Sequence, residues 1–225
     1  MSQMLELKDL MLIDISMVQG ILIDIDDTLY SYAKPHQLAL NICYREFNKL
    51  YPDLCTKDKF NQSYRDSRTY ITTSLNFSGS CRSRLLAFQN IFENLKSLPP
   101  INAYQHALKF EELYWSEFIN RIERNDSMFK FLNHCHLASA KICAVSDMQT
   151  SFQIRKLIKL GYKNLHLVTS EEVGVEKPNP LIFKKALHKI GCDANKTIMI
   201  GDNFEKDIIG AEKLGIQAFQ VSLND

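Results

Sequence analysis

Little in this chain is in surplus. Its 225 residues carry 27 Lys and Arg against 26 Asp and Glu, a net charge of +1, so no excess of either sign recommends a polyanion such as a nucleic acid polymer as partner. Long apolar runs are missing too. Met11-Leu12-Ile13 stops at Asp14 and Gly20-Ile21-Leu22-Ile23 stops at Asp24, far short of the roughly 18–20 residues of a membrane span. The start has no basic region ahead of an apolar core and no small-residue cleavage pattern, which argues against a secretory signal. The six cysteines, Cys43, Cys55, Cys81, Cys135, Cys143 and Cys192, include no CxxC pair, and Cys143 stands in a strand-like apolar run where a thiol packs as a small hydrophobe. The expectation is a reduced, cytoplasmic chain with no disulfide framework and no membrane partner.

Glycine is scarce and unevenly placed: six of the eight fall between Gly161 and Gly215, and residues 21–160 hold only Gly79. The C-terminal part therefore has the punctuation of short alternating elements. Apolar strands are expected at 141–146, 165–169, 197–200 and 216–221, and helices at 151–160, 178–190 and 205–214, with Thr150 as an N-cap and Gly161, Gly191 and Gly215 as terminators. Strict alternation of this kind predicts parallel βαβ units with strands buried on both faces. With 45% hydrophobic and 24% charged residues, the chain can build a real core.

Residues 21–25 form one more apolar strand, but nearly 100 residues then pass with helical periodicity and no strand. Segment 35–50 carries Leu38, Ile42, Phe47 and Leu50 near one face; 85–95 carries Leu85, Phe88, Ile91, Phe92 and Leu95; 103–122 carries Ala107, Phe110, Tyr114, Phe118 and Ile122. These amphipathic stripes need partners, so 31–125 reads as an inserted all-helical domain and 1–30 with 126–225 as the α/β core. Asp126 is the expected N-cap of the helix that returns to the core. Residues 1–18 fit neither period; they are either an over-long start ahead of Met17 or an extra element covering a sheet edge.

The acids gather where the strands end. Asp24, Asp26 and Asp27 fall within four residues after 21–23, and Asp202, Asn203 and Asp207 follow the apolar run 198–200. Carboxylates at the carboxyl end of a buried strand need a cation or hydrogen bonds, and in open α/β sheets that crevice is where ligands bind. No His or Cys accompanies them, and an all-oxygen set selects a hard cation such as Mg2+. Ser146 ends a strand ahead of a helix, where hydroxyl and backbone N–H groups hold phosphoryl oxygens. Lys177 is presented by a proline-stiffened loop, Lys177-Pro178-Asn179-Pro180. His134-Cys135-His136 looks metal-like, but the histidines are two apart on an expected helix and diverge.

Taken in order, Asp24-Ile-Asp26-Asp-Thr28, Ser146, Lys177-Pro178 and Gly201-Asp202 with Asp207 resemble the four motifs of the haloacid dehalogenase superfamily. The resemblance covers about 20–30 and 126–222; residues 169–178 and 201–215 look like the branch with a helical cap inserted after the first motif. It implies a Rossmann-like parallel sheet flanked by helices and a phosphatase activity. Carried over, it makes Asp24 the nucleophile that forms an aspartyl-phosphate, and Asp26 the acid and base. Ser146 and Lys177 would hold the phosphate, and Thr28 would brace the loop. Mg2+ would be held by Asp24, the Asp26 backbone carbonyl and Asp202, with Asp207 and Asn203 ordering its waters. Because a halide leaves without a proton, the second acid favours phosphoryl transfer over dehalogenation.

Asp27 and Asp147 complete the acids placed near substrate. Asp147 stands where relatives often have Asn, and it is expected to point away and cap the helix near Thr150. In 61–84, Arg65, Arg68, Arg82 and Arg84 face a single acid, Asp66; this polar stretch is expected to be a solvated loop, with a clamp on an acidic substrate as the sharper alternative. The substrate is expected to be a small phosphate ester, a sugar phosphate or nucleotide, handled by a monomer or homodimer. A phosphomutase using the same aspartate pair and a regulatory protein without turnover remain as alternatives.

Overall fold

The apolar runs become strands, and a sixth strand joins them from the segment that fitted neither period. The computed structural model describes residues 3–76, 78–95 and 98–223; residues 1, 2, 224 and 225, at the outer ends of the expected core, lie outside that description. The strands are β1 (Gln3–Leu5), β2 (Gly20–Ile23), β3 (Lys141–Ser146), β4 (Leu165–Thr169), β5 (Thr197–Gly201) and β6 (Gln217–Val221). All pairings are parallel, in the order β1-β6-β5-β2-β3-β4. From β2 the chain therefore winds outward both ways, and Ile23 of β2 lies level with Ala144 of β3 and Ile200 of β5. That reversal beside β2 sets the ligand crevice of an open α/β sheet beyond the carboxyl ends of these three strands.

Continuous apolar runs suit these strands because both faces are covered. On one face Leu22, Cys143, Val145, Val168, Met199 and Ala218 pack with Ile182, Phe183, Ala186 and Ile190 of α8 (Pro180–Ile190), which follows the single-turn helix α7 (Ser170–Val173). The alternate positions Ile21, Ile23, Ile142, Ala144, Ile198 and Ile200 are buried as well. Each buried Ile, Leu, Val, Met or Phe among them contributes about 1.5–3 kcal/mol on leaving water. The 3-10 turn Leu7–Leu12 packs on α5 (Asp126–Leu137) and buries Leu10, so the N-terminal segment is an element at the sheet edge. The cysteines are free, and no helix among the described residues is long and apolar enough to cross a membrane.

Four helix starts differ from expectation; the helix expected from 178 begins at Pro180, after an N-cap at Asn179 whose Oδ1 accepts from Leu181 N at 3.0 Å. Asn125, not Asp126, caps α5: its Oδ1 accepts from Met128 N at 2.9 Å, which leaves Asp126 in the first turn facing the positive end of the dipole. Thr150 is the first residue of α6 (Thr150–Leu160), after an N-cap at Gln149. The Thr150 hydroxyl is engaged by Thr169 Oγ1 at 2.6 Å, and its N–H donates to Glu171 Oε2 at 2.8 Å. The helix expected at 205–214 is a π-turn, Phe204–Ile209, followed by α9 (Gly210–Glu212). One helix departs from ordinary patterning. The buried positions of α6 are Gln153, Lys156, Leu157 and Leu160, whereas Ile154 and Ile158 are 46% and 73% exposed.

The chain divides into two units, Met1–Tyr32 with Ile122–Asp225, and Ala33–Arg121. The second is all helical: α1 (Ala33–Leu50), α2 (Lys57–Ser74), α3 (Arg84–Glu93) and α4 (Pro100–Arg121). In α1 the buried stripe is Ala39, Leu40, Cys43 and Phe47, while Leu38 and Leu50 stay largely outside. The polar stretch expected as a loop is mostly α2. Thr56 caps it, and Phe60, Tyr64, Ser67 and Ile71 form a stripe narrow enough to vanish among Ser, Thr and Arg. The centre of this unit is aromatic: Phe92 and Phe110 stand 4.8 Å apart, and Tyr114 meets Trp115 at 5.1 Å.

His36 is set into that centre, its Nδ1 2.6 Å from the Tyr114 hydroxyl and its ring beside Tyr64 and Tyr114. Burial, then the charges of Arg84 and Arg68, lower its pKa from 6.5 to about 3. A depressed pKa means that the unfolded chain takes the proton first. The contribution of His36 to the stability of the helical unit is therefore fully present above pH 6.5 and is lost by up to about 1.4 kcal/mol per pH unit as pH falls towards 3. Trp115 is the single tryptophan and is buried here, so tryptophan fluorescence reports on this unit. The urea midpoint should drop between pH 7 and 5, and His36→Gln should flatten the drop; equal slopes in the two proteins would contradict the assignment.

Candidate active site

Three strand ends bring together the polar groups singled out in the sequence. Asp24 leaves β2 with its N–H donating to Ile200 O at 2.9 Å, Ser146 closes β3, and Asp202 follows β5. Carboxylate oxygens of Asp24, Asp202 and Asp207 all lie within 4.8 Å of one another. Into this group reaches Lys177, whose Nζ donates to Asp24 Oδ1 at 2.5 Å, Asp207 Oδ1 at 2.6 Å and Val145 O at 3.0 Å. Thr28 Oγ1 makes a long 3.5 Å contact with Asp24 Oδ2.

Gly201 makes the Asp207 position possible. A Cβ built there would overlap the Asp207 carboxylate, which turns back to accept from Asn203 N at 3.1 Å. The Lys177 loop is gripped from behind. Lys177 N donates to Asp147 Oδ1 at 2.8 Å, and Lys206 Nζ joins Asp147 Oδ2 at 2.7 Å to Glu176 Oε2 at 2.9 Å. The Asp147 carboxylate thus holds the loop that presents Lys177, rather than capping α6. Its two acceptor oxygens meet two donors here, and Glu171 serves the helix start instead.

Charge in this cluster is costly. Burial raises Asp24 well above the usual carboxylate range; Lys177 pulls it down, and Asp207, Asp202 and Asp26 push it further up. Burial pushes Lys177 down, yet Asp207, Asp24 and Asp147 raise it overall. Asp202 is raised to about 6, by burial first and then by Asp207. Three carboxylates share one ammonium, so the site is short of positive charge. Oxygen donors alone, this close together and this repulsive, fit a hard divalent cation such as Mg2+.

Asp26 faces α6 instead of the three-acid cluster. Its Oδ1 accepts from Lys156 Nζ at 2.6 Å and from the Tyr30 hydroxyl. Gln153 Nε2 donates to Ser146 Oγ at 2.6 Å and approaches Asp26 Oδ2 at 3.4 Å. Sequence reading missed Lys156, Gln153 and Tyr30. The available signal was a Gln and a Lys three apart on the inward face of α6, detectable only once the helix phase is known.

The other expected residues have local employment. Asp27 adopts a left-handed backbone, φ 58°, and its Oδ1 accepts from Tyr32 N at 2.8 Å. The Asn203 side chain caps the π-turn, accepting from Lys206 N at 2.9 Å. In the helical unit, Arg68 Nη1 donates to Ser83 O at 3.0 Å, and buried Arg84 donates to Arg82 O and lies over the rings of Tyr114 and Trp115. Arg65 pairs with Gln62 at the surface. Cys135 faces the core, and its neighbours His134 and His136 are exposed.

A family profile described as haloacid dehalogenase-like hydrolase matches residues 18–215. The chain is 26% identical over 204 residues, 89% of this chain and 83% of the relative, to ribulose-1,5-bisphosphate 5-phosphatase of Halopiger xanaduensis. It is 26% identical over 209 residues, 91% and 84%, to glyceraldehyde 3-phosphate phosphatase of Methanopyrus kandleri. Among solved structures, 2-haloacid dehalogenase of Pseudomonas syringae pv. Tomato superposes with a TM-score of 0.71 at 18% identity, covering 90% of this chain and 86% of that one; at that identity the likeness is one of fold.

Gly201→Ala should drive the Asp207 carboxylate off its seat, with a loss of about 1–3 kcal/mol of stability and a weakening of Mg2+ binding. Urea denaturation and calorimetric Mg2+ titration check this. Unchanged values in both would show that the close approach of Asp207 to Gly201 is unimportant.

Proposed function

The chain belongs to the haloacid dehalogenase-like hydrolase family, and from that premise we propose that it is a Mg2+-dependent phosphatase that cleaves a small phosphomonoester through an aspartyl-phosphate on Asp24. The observation that carries the reading is the group of buried Asp24 and Asp207 with half-buried Asp202, and Lys177 bonded to two of the three. Names of relatives support the substrate class, because ribulose-1,5-bisphosphate and glyceraldehyde 3-phosphate are both sugar phosphates.

Each side chain then has one task. Asp24 attacks phosphorus with a carboxylate oxygen while the ester oxygen departs, taking a proton from Asp26. Asp26, now a carboxylate, removes a proton from a water molecule. That water attacks the phosphoryl group, inorganic phosphate leaves, and Asp24 is regenerated. Lys177 and Ser146 hold the phosphoryl oxygens, the first with charge and the second with its hydroxyl. Asp24, Asp202 and the Asp26 backbone carbonyl would hold Mg2+, with Asp207 and Asn203 ordering its waters, and the ion would supply the positive charge that lets an anionic nucleophile approach an anionic phosphate.

Asp24→Asn should lower phosphate release by at least about 1,000-fold without changing the far-UV circular dichroism spectrum, measured on a panel of sugar phosphates, nucleotides and polyol phosphates. Activity within tenfold of wild type would remove the nucleophile from the account. Chelation of divalent cations should abolish turnover and added Mg2+ should restore it; full activity in chelator would remove the cation. Release of inorganic phosphate without a bisphosphate activator distinguishes hydrolysis from a mutase.

A further inference from the structure

The inward face of α6 is made of the wrong residues for a core helix. Gln153 and Lys156 are both 0% exposed, while Ile154 and Ile158 on the same helix face out. A buried ammonium is sustained only by a well-placed partner, and an apolar side chain of similar volume in its place is often neutral or stabilising. Local rules of this kind are broken where function requires it. Both polar side chains end at the site. The Lys156 ammonium is 2.6 Å from Asp26 Oδ1 and lies over the Tyr30 ring at 5.6 Å, and Tyr30 donates to the same carboxylate oxygen. The Gln153 amide spans Ser146 Oγ and Asp26 Oδ2.

Resting on the phosphatase reading above, we propose that Lys156, Gln153 and Tyr30 are positioning residues that fix the orientation of the Asp26 carboxyl group and tie it to Ser146, so that one helix sets the proton donor in register with the phosphate. An aspartate side chain turns about two bonds, and Asp26 is 26% exposed. Left alone, its carboxyl group would sample several rotamers, of which few reach a departing ester oxygen within hydrogen-bond distance. Two donors on Oδ1 and the amide of Gln153 beside Oδ2 select one of them. Because the same amide binds Ser146, a phosphate seated on Ser146 and a proton delivered by Asp26 share a common reference.

The consequence depends on the leaving group. An alkoxide needs the Asp26 proton to depart, whereas 4-nitrophenolate is stable enough to leave without it. The comparison uses the full-length protein with Mg2+ and reads kcat/KM, which counts only the steps up to loss of the leaving group. Lys156→Met should lower kcat/KM by about 100-fold for a sugar phosphate but by less than about fivefold for 4-nitrophenyl phosphate. Inhibition by inorganic phosphate should stay unchanged.

Equal loss on both esters, or no loss on either, would overturn the proposal and make Lys156 a packing residue. If Lys156→Met does not fold, Tyr30→Phe carries the same comparison, since it keeps the ring and removes one donor: a selective loss on the sugar phosphate supports the proposal and an equal loss overturns it. Asp24→Asn is run alongside. A wild-type protein inert towards both esters, or an active Asp24→Asn, overturns the phosphatase reading and this proposal together; an active wild type with a dead Asp24→Asn leaves the Lys156 result to decide this proposal alone.

Discussion

One ammonium among three carboxylates is the constraint around which the catalytic unit is arranged. Lys177 is 3% exposed, Asp24 6% and Asp207 1%, and groups this buried keep their charge only against each other. The sheet makes the meeting possible: adjacent strands β2 and β5 end at the same level, which brings Asp24 and Asp202 together. The rest of the neighbourhood serves the lysine. Gly201 leaves room for Asp207, and Asp147, Lys206 and Glu176 hold the loop from which Lys177 reaches in. A cluster still short of positive charge after all this is what the proposed cation would complete.

The site has a second side with a different logic. Acids on the first side concentrate negative charge, whereas on the second α6 brings a lysine and an amide, and the segment after β2 brings the Tyr30 hydroxyl, to a single carboxylate. Asp24 and Asp26 are two residues apart, yet they face opposite surroundings.

Legibility in the sequence followed how local each signal was. The strands could be read because continuous runs such as Ile21-Leu22-Ile23 mean burial on both faces, and the acids stood out because they crown those runs. Elements whose stabilising contacts lie elsewhere in the chain could not be read. Three residues, Gln3–Leu5, become a strand only because β6 offers an open edge. In α2 the apolar stripe of Phe60, Tyr64 and Ile71 is diluted by polar residues. Asp147 looked like a helix cap because sequence shows its neighbours but not Lys177 and Lys206, 30 and 59 positions away. Lys156 was invisible for the same reason, being 130 positions from Asp26.

Covalent chemistry at Asp24 is the centre of the account, and mass spectrometry after an acid quench addresses it directly. Protein mixed with a hydrolysed sugar phosphate and Mg2+, quenched within a turnover and digested, should yield one phosphorylated peptide, with the phosphoryl group on Asp24 and lost on treatment with hydroxylamine. Turnover with no phosphorylated peptide at any quench time, or a phosphoryl group on another residue, would contradict it.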